Sequence, residues 1–133
     1  MPSVIDDVVR DAADAIAREH HVDIEVNPPS PHESECVADY EEHRAAITQL
    51  LRLAAEMATP PRSLHLVIYP ETPPITRLYI RGAGIPTMYD AISEQHRPGV
   101  RAAAAAIKQI SARLLRDPGG FLVLYGTLAA DDP

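Results

Sequence analysis

Hydrophobic and polar residues alternate most regularly between Ser63 and Thr87. Two runs rich in β-branched, aliphatic and aromatic residues, 64–69 and 75–81, flank a proline-rich stretch at 70–74. This composition is typical of two β-strands joined by a turn. Because side chains alternate across a strand, one face of the hairpin is aliphatic. The opposite face carries polar and aromatic side chains: His65, Tyr69, Arg77, Tyr79 and Arg81.

Apolar residues recur at helical spacing over residues 4–20, 34–57 and 99–116, which predicts three helices. Ser3 is expected to cap the first of them in a capping box with Asp6. The prediction for the last helix rests on a stripe of apolar residues: Val100, Ala103, Ala104, Ile107, Ile110 and Leu114.

Two further strands and one short helix complete the predicted elements. Residues 22–26 alternate between apolar and acidic side chains, and residues 121–125 form an apolar run after two glycines. Thr87 with Asp90 three residues later indicates another helix start, and Pro98 should break that helix.

The element order after the first helix is β, α, β, β, α, β. This order predicts an α+β, ferredoxin-like split βαβ domain: a four-stranded antiparallel sheet with helices packed on one face, plus an extra N-terminal helix. We expect one domain over residues 1–133, with the helix at 1–21, the core at 22–127 and a frayed tail at 128–133. The first helix could join the other helices or cover part of the open sheet face.

The charge balance disfavours nucleic acid and anionic membrane surfaces as partners. The chain of 133 residues has twelve basic and nineteen acidic residues, a net charge of −7. In the predicted topology, Asp23 and Glu25 lie on a central strand beside Arg77 and Arg81, so cross-strand ion pairs would occupy the arginines. This arrangement weakens an RNA-binding hypothesis, which needs stacking aromatic residues on both central strands.

The sequence predicts a cytoplasmic location. No apolar run reaches about 18 residues, and the N-terminus lacks the basic start and apolar core of a signal peptide. With 46% hydrophobic residues the chain can bury a core, and the single cysteine, Cys36, excludes an internal disulfide framework.

Three patterns suggest chemistry, and each has a simpler structural explanation. The loop Gly82-Ala83-Gly84 before a helix start could hold an anion with Arg81 beside it, although its spacing matches no nucleotide-binding motif. Cys36 and His43, seven apart on one predicted helix, would be separated by about 10.5 Å along its axis, too far for direct proton transfer. A buried structural cysteine is therefore favoured.

The third pattern is a possible metal site. Glu35, Asp39 and His43 are spaced i, i+4 and i+8, so they would line one edge of the predicted helix. Such a ladder is more often a solvated helix edge, and no metal motif with its required spacing is present. We expect neither a metal nor a cofactor, and we lean against an enzyme.

The leading hypothesis is a small acidic protein-binding domain that acts as an inhibitor, immunity protein or regulator of a protein partner, including one encoded by a phage or mobile element. The predicted partner-binding residues are His65, Tyr69, Arg77, Tyr79 and Arg81, because aromatic and arginine side chains are enriched at interface centres. The same face could instead form a homodimer. The alternative is an enzyme or small-ligand-binding protein with a pocket between the sheet and segment 82–89, using His65, Tyr79, Arg81 and His96.

Overall fold

The computed structural model describes residues 3–27, 35–70, 76–85, 94–117 and 119–125. These residues form three helices and seven strands. In chain order the elements are β1 (Ser3–Val4), α1 (Ile5–His20), β2 (Asp23–Asn27), β3 (Glu35–Cys36), α2 (Tyr40–Met57), β4 (Ser63–Pro70), β5 (Thr76–Gly82), α3 (Arg97–Gln109), β6 (Ala112–Asp117) and β7 (Gly120–Tyr125).

The main sheet is mixed and has five strands in the order β2-β4-β5-β7-β6. Strand β2 pairs in parallel with β4, and the other neighbouring strands pair antiparallel. The short strands β1 and β3 form a separate two-stranded sheet. The α+β class is confirmed, whereas the four-stranded antiparallel ferredoxin-like sheet is wrong.

The difference in topology lies in the connection made by α2. A strand, a crossover helix and a second strand give a parallel pair, and here β2 and β4 lie directly side by side. The ferredoxin-like order would instead insert β5 between them. As a result β2 is an edge strand, and β5 has β4 and β7 as its neighbours.

The last predicted helix is too long. α3 ends at Gln109, the chain turns through Ser111 at a positive φ of 61°, and Ala112–Asp117 forms β6. Leucine, alanine and arginine favour a helix in isolation, but a complete antiparallel ladder to β7 is available to this segment. Pairing with β7 overrides the local preference and adds the fifth strand.

The predicted starts of the first two long helices also need correction. α2 begins at Tyr40 rather than at residue 34, because the Asp39 carboxylate accepts a hydrogen bond from the Glu42 backbone N–H at 2.9 Å. Glu35–Cys36 pairs instead with Ser3–Val4. Ser3 therefore lies in β1 and does not cap α1, which begins at Ile5.

The predicted hairpin and the first helix are confirmed. β4 and β5 pair antiparallel, from Leu64 opposite Gly82 to Pro70 opposite Thr76, and α1 packs against α2 and β2. α1 therefore joins the helix layer. The core lies between this layer and the aliphatic side of the sheet, with Leu66, Leu78, Ile80 and Val123 at its centre. We call the opposite side of the sheet the open face.

Some predictions fall outside the described residues. The predicted helix start at 87–90 and the tail at 128–133 belong to this group. In the part of the chain that the structure describes, no helix is both long and apolar enough to cross a bilayer. The single-domain organisation and the cytoplasmic location stay predictions.

Candidate functional site

The five predicted partner-binding residues lie together on the open face. The β4–β5 register places His65 opposite Arg81 and Tyr69 opposite Arg77, with Tyr79 between the two arginines along β5. The Tyr69 side chain is well exposed, at 58%. The hairpin pattern in the sequence was sufficient to place these residues on one surface, and their contact with a partner stays a prediction.

One end of this surface is held by an internal ion pair. Arg81 Nε donates to Asp117 Oδ2 at 2.7 Å, and its guanidinium carbon lies 4.8 Å from the Tyr79 ring centroid. The hydrogen bond to Asp117 raises the pKa of Arg81. The pair spans β7 at Gly120, which has no side chain to separate the two groups. The sequence does not indicate Asp117 as a partner of Arg81, because it predicts a helix over 99–116 and a turn at Asp117 in place of β6.

The predicted ion pairs between β2 and β5 are absent. β4 lies between the two strands, so Asp23 and Glu25 are not neighbours of Arg77 and Arg81. Glu25 is instead close to His65, with 3.3 Å between Glu25 Oε1 and His65 Nδ1. The open face therefore has an acidic edge at β2, separated from the arginines of β5.

A shallow cavity of about 640 Å³ opens at this acidic edge. His65, Arg81, Gly82 and Ala83 line it, as the alternative hypothesis expected, whereas Tyr79 and His96 do not. Asp23 and Glu25 also line it, so it contains two carboxylates beside an arginine that is already paired. This cavity has little electrostatic attraction for an anionic ligand.

The predicted metal ladder and thiol pair are not assembled. Asp39 caps α2, His43 is fully buried, and Glu35 belongs to β3. Cys36 also lies in β3, where burial raises the pKa of its thiol and its Sγ contacts the Ile110 carbonyl at 3.5 Å. Among the described residues, no group of three His, Cys, Asp or Glu side chains could hold a metal ion.

His43 instead forms the centre of a buried polar chain. Its Nδ1 lies 2.5 Å from Ser3 Oγ, and its Nε2 lies 2.9 Å from the Tyr125 hydroxyl. A neutral imidazole donates through one nitrogen and accepts through the other, so it can satisfy both partners. Burial lowers the pKa of His43 to about 4. The sequence contains only a weak signal for this buried polar chain. Tyr125 lies at an inward-facing position of the last strand, and a buried tyrosine hydroxyl needs a hydrogen-bond partner.

On the helix side of the sheet, α3 and the glycine loop both contact the C-terminal half of α2. A Cβ on Gly99 in α3 would lie 3.0 Å from Leu53 Cδ1, which shows how closely α3 approaches α2. Gly84, at φ +93°, would place a Cβ 2.7 Å from the Met57 carbonyl oxygen. Thr59 N–H donates to the Ala83 carbonyl at 3.0 Å. The glycine loop is thus held against the end of α2.

The N-terminus of α3 differs from those of the two other described helices. α1 has Asp6 and Asp7 in its first turn, and α2 has a carboxylate cap and two acids. α3 has no side-chain cap and no acid in its first turn, and it begins with Arg97. Among the three described helices, α3 is therefore the one whose first turn contains no acid, although Glu94 lies two residues before its N-cap, and its start is the most favourable of the three for an anion.

Comparison with known proteins places this fold among histidine kinase domains. No family model matches the sequence, and no curated protein is significantly similar to it. The sensor histidine kinase MprB of mycobacteria has a similar structure, with a TM-score of 0.68 and 14% identity over 93% of each chain. The ATP binding domain of PrrB from Mycobacterium tuberculosis has a TM-score of 0.64 and 21% identity over 95% of this chain and 94% of that one. The catalytic domain of the histidine kinase ThkA has a TM-score of 0.65 and 11% identity, covering 94% and 93%.

These similarities correct the leading functional hypothesis. The fold is that of histidine kinase ATP-binding domains, so the inhibitor, immunity protein or regulator and the phage origin are not supported. The small-ligand alternative agrees better with the comparisons. The fold was not predicted from the sequence, because the predicted strand order was wrong and the predicted sheet lacked β6.

Proposed function

We propose that this chain binds a nucleotide on the helix side of the sheet, where α3 begins. One observation carries this proposal: the chain has the fold of domains described as the ATP binding domain of PrrB and the catalytic domain of ThkA, over 93–95% of the lengths compared. Fold similarity by itself does not assign a function, so the features of the chain itself must support it.

The phosphates are proposed to lie at the N-terminus of α3. No side chain caps this helix end, and its first-turn backbone donors are the N–H groups of Arg97 and Gly99, because Pro98 has none. Arg97 and Arg101 are spaced i, i+4 and lie on one edge of the helix, so both can approach the same phosphate group. The acids at the starts of α1 and α2 make those two helix ends less suitable.

The apolar side chains packed beside the start of α3 offer a base no strong hydrogen-bonding group. Leu53, Met57 and Ile85 lie next to Gly99 and the glycine loop, and they are buried, with 6%, 7% and 5% exposure. Dispersion and hydrophobic contact discriminate poorly between ligands that differ only in polar substituents. We therefore expect affinity to depend on the phosphates more than on the identity of the base.

The cavity on the open face does not suit this ligand. Asp23 and Glu25 would repel a polyphosphate, and Arg81 is engaged by Asp117. The proposal is therefore specific to one side of the sheet, and mutations on the open face should leave nucleotide binding unchanged.

The test is a titration of the purified chain with a fluorescent ATP analogue, followed by competition with ATP, GTP, ADP and adenosine, with and without Mg²⁺. We expect saturable binding, ATP and GTP within about threefold of each other, and adenosine at least about tenfold weaker. Replacing both arginines, Arg97→Ala with Arg101→Ala, should weaken ATP binding about tenfold.

The matched control is Arg10→Ala with Arg18→Ala on α1, which removes the same charge from exposed positions. This control should bind ATP within about twofold of the wild type, because long-range electrostatic effects are screened. The proposal fails if the wild type shows no saturable binding, or if the α1 and α3 variants lose equal affinity.

A further inference from the structure

The cavity at the β2 side of the open face is lined mainly by groups that accept hydrogen bonds. Its polar side chains are Asp23 and Glu25 of β2, Ser63 and His65 of β4, and Arg81 of β5. An ionised carboxylate only accepts hydrogen bonds, and a serine hydroxyl accepts as well as donates. Every residue that lines the cavity lies in the described part of the chain.

The strand register arranges these side chains in two rows across the sheet. Asp23 lies opposite Ser63 in the first row. In the second row Glu25 lies opposite His65, which in turn lies opposite Arg81. The residues between the rows turn their side chains to the helix side, so the backbones of β2 and β4 form the floor. A volume of about 640 Å³ is in the range that small ligands occupy.

The lining of the cavity carries a net negative charge. Arg81 Nε is bonded to Asp117 Oδ2 at 2.7 Å, and Asp117 belongs to β6, on the side of β5 away from β4. The positive charge of Arg81 is therefore balanced outside the cavity. Among the described residues, no arginine or lysine pairs with Asp23 or Glu25. Two carboxylates thus remain uncompensated, and the net charge of −7 of the whole chain adds to their attraction for cations.

His65 contributes a further acceptor to the cavity. Its Nδ1 lies 3.3 Å from Glu25 Oε1. A neutral imidazole holds its proton on one nitrogen, and the neighbouring carboxylate favours the tautomer with the proton on Nδ1. The Nε2 atom of this tautomer accepts a hydrogen bond. The cavity therefore suits a positively charged ligand that donates several hydrogen bonds.

We propose that this cavity binds a small organic cation with two amino groups, of the aliphatic diamine class. Asp23 and Glu25 are two residues apart on one face of β2, so their Cα atoms are about 6.6 Å apart. Two ammonium groups joined by four methylene carbons are about 6 Å apart in the extended form. Each ammonium group pairs with one carboxylate, while Ser63 and His65 accept the remaining N–H bonds.

A single metal ion fits the arrangement less well than a diamine. The negative charge is divided between two positions along β2, and no group of three His, Cys, Asp or Glu side chains among the described residues could hold a metal ion. A diamine has its charge divided in the same way. The cavity lies on the face opposite the proposed nucleotide site, so this proposal does not depend on nucleotide binding.

The experiment is a two-dimensional NMR titration of the isotopically labelled chain with 1,4-diaminobutane at constant ionic strength. The matched ligand is butylamine, which has the same carbon chain and one amino group. We expect saturable shifts concentrated in the backbone amides of residues 23–25 and 63–65. The diamine should bind about threefold more tightly than butylamine, because a second ion pair at an exposed site adds little free energy. High salt should weaken both ligands.

The protein variants locate the contact. Asp23→Asn with Glu25→Gln should weaken diamine binding about tenfold, and either change alone should reduce it to about the affinity of butylamine. The matched control is Asp14→Asn with Glu56→Gln, which removes the same charge from exposed positions on α1 and α2. This control should change diamine binding less than about twofold, because distant charges are screened. The NMR spectrum of each variant shows whether it is folded.

Several results would overturn the proposal. These are shifts that do not saturate, equal affinity for the diamine and butylamine, or equal losses in the cavity variant and its control. Displacement of the diamine by Mg²⁺ at an equal concentration would show that the cavity recognises divalent charge alone. Tighter binding of a dilysine peptide than of the diamine would assign the cavity to a basic segment of a protein instead.

Discussion

Polar side chains are buried on the helix side of the sheet and exposed on its open face. On the helix side, His43 is fully buried and its two ring nitrogens meet Ser3 and Tyr125, so this polar chain is satisfied within the protein. On the open face, Arg81 is bonded to Asp117 at one end of β7, while Arg113 at the other end is exposed. Burial thus makes a polar group structural, whereas exposure leaves it available to a ligand or partner.

The largest expected loss of stability belongs to Gly120, where the backbones of β5 and β7 approach each other closely. A Cβ on Gly120 would lie 1.8 Å from the Ile80 carbonyl oxygen, so Gly120→Ala should force β5 and β7 apart. We expect a loss of about 4 kcal/mol in the free energy of unfolding, measured by urea denaturation.

Gly119→Ala is the matched control for this prediction. A Cβ there meets nothing within 4 Å, and only its positive φ of 76° opposes alanine. The expected cost is about 1 kcal/mol. Similar losses at the two glycines would show that close packing of β5 against β7 does not decide the sheet's stability.

Buried His43, on the helix side of the sheet, should make the free energy of unfolding depend on pH. The pKa of buried His43 is lowered from 6.5 to about 4, so the unfolded chain binds more protons than the folded chain between these pH values. Its contribution is therefore fully present above pH 6.5 and is lost as the pH falls through about 4. The difference corresponds to about 3 kcal/mol, measurable as urea midpoints at a series of pH values.

A His43→Gln variant is the control for the pH effect. It removes the titrating group but keeps hydrogen-bonding atoms near Ser3 and Tyr125. The variant should be less stable at neutral pH and show a flatter dependence between pH 4 and 6.5. An unchanged slope would mean that other groups cause the acid sensitivity.

The smallest expected effect belongs to the ion pair on the open face. The Arg81 side chain is 52% exposed, and exposed pairs contribute little because water screens them. A double-mutant cycle with Arg81→Met and Asp117→Asn should give a coupling energy of about 0.5 kcal/mol that decreases in high salt. A coupling as large as the His43 effect would contradict the proposed difference between the two faces.

Much of the secondary structure could be predicted from the sequence because it depends on local pattern. The hairpin of β4 and β5 follows from strict alternation on both sides of a proline-rich stretch of sequence, and α1 follows from a continuous apolar stripe. The same alternation placed the five partner-binding candidates on one face. Their neighbours, such as Glu25 of β2 beside His65 and Asp117 of β6 beside Arg81, could not be predicted because they depend on the order of the strands.

Only the tertiary structure decided which strands are neighbours. β6 has a helix-favouring sequence and becomes a strand because β7 offers it a ladder, while β2 lies at the sheet edge because α2 returns the chain beside it. Ser3, His43 and Tyr125 are 40 and 82 residues apart and meet through packing alone. The sequence by itself determined the faces of individual elements, since side-chain periodicity is local. The fold and its candidate sites depend on contacts between segments that are distant in the sequence, and a local pattern does not predict such contacts.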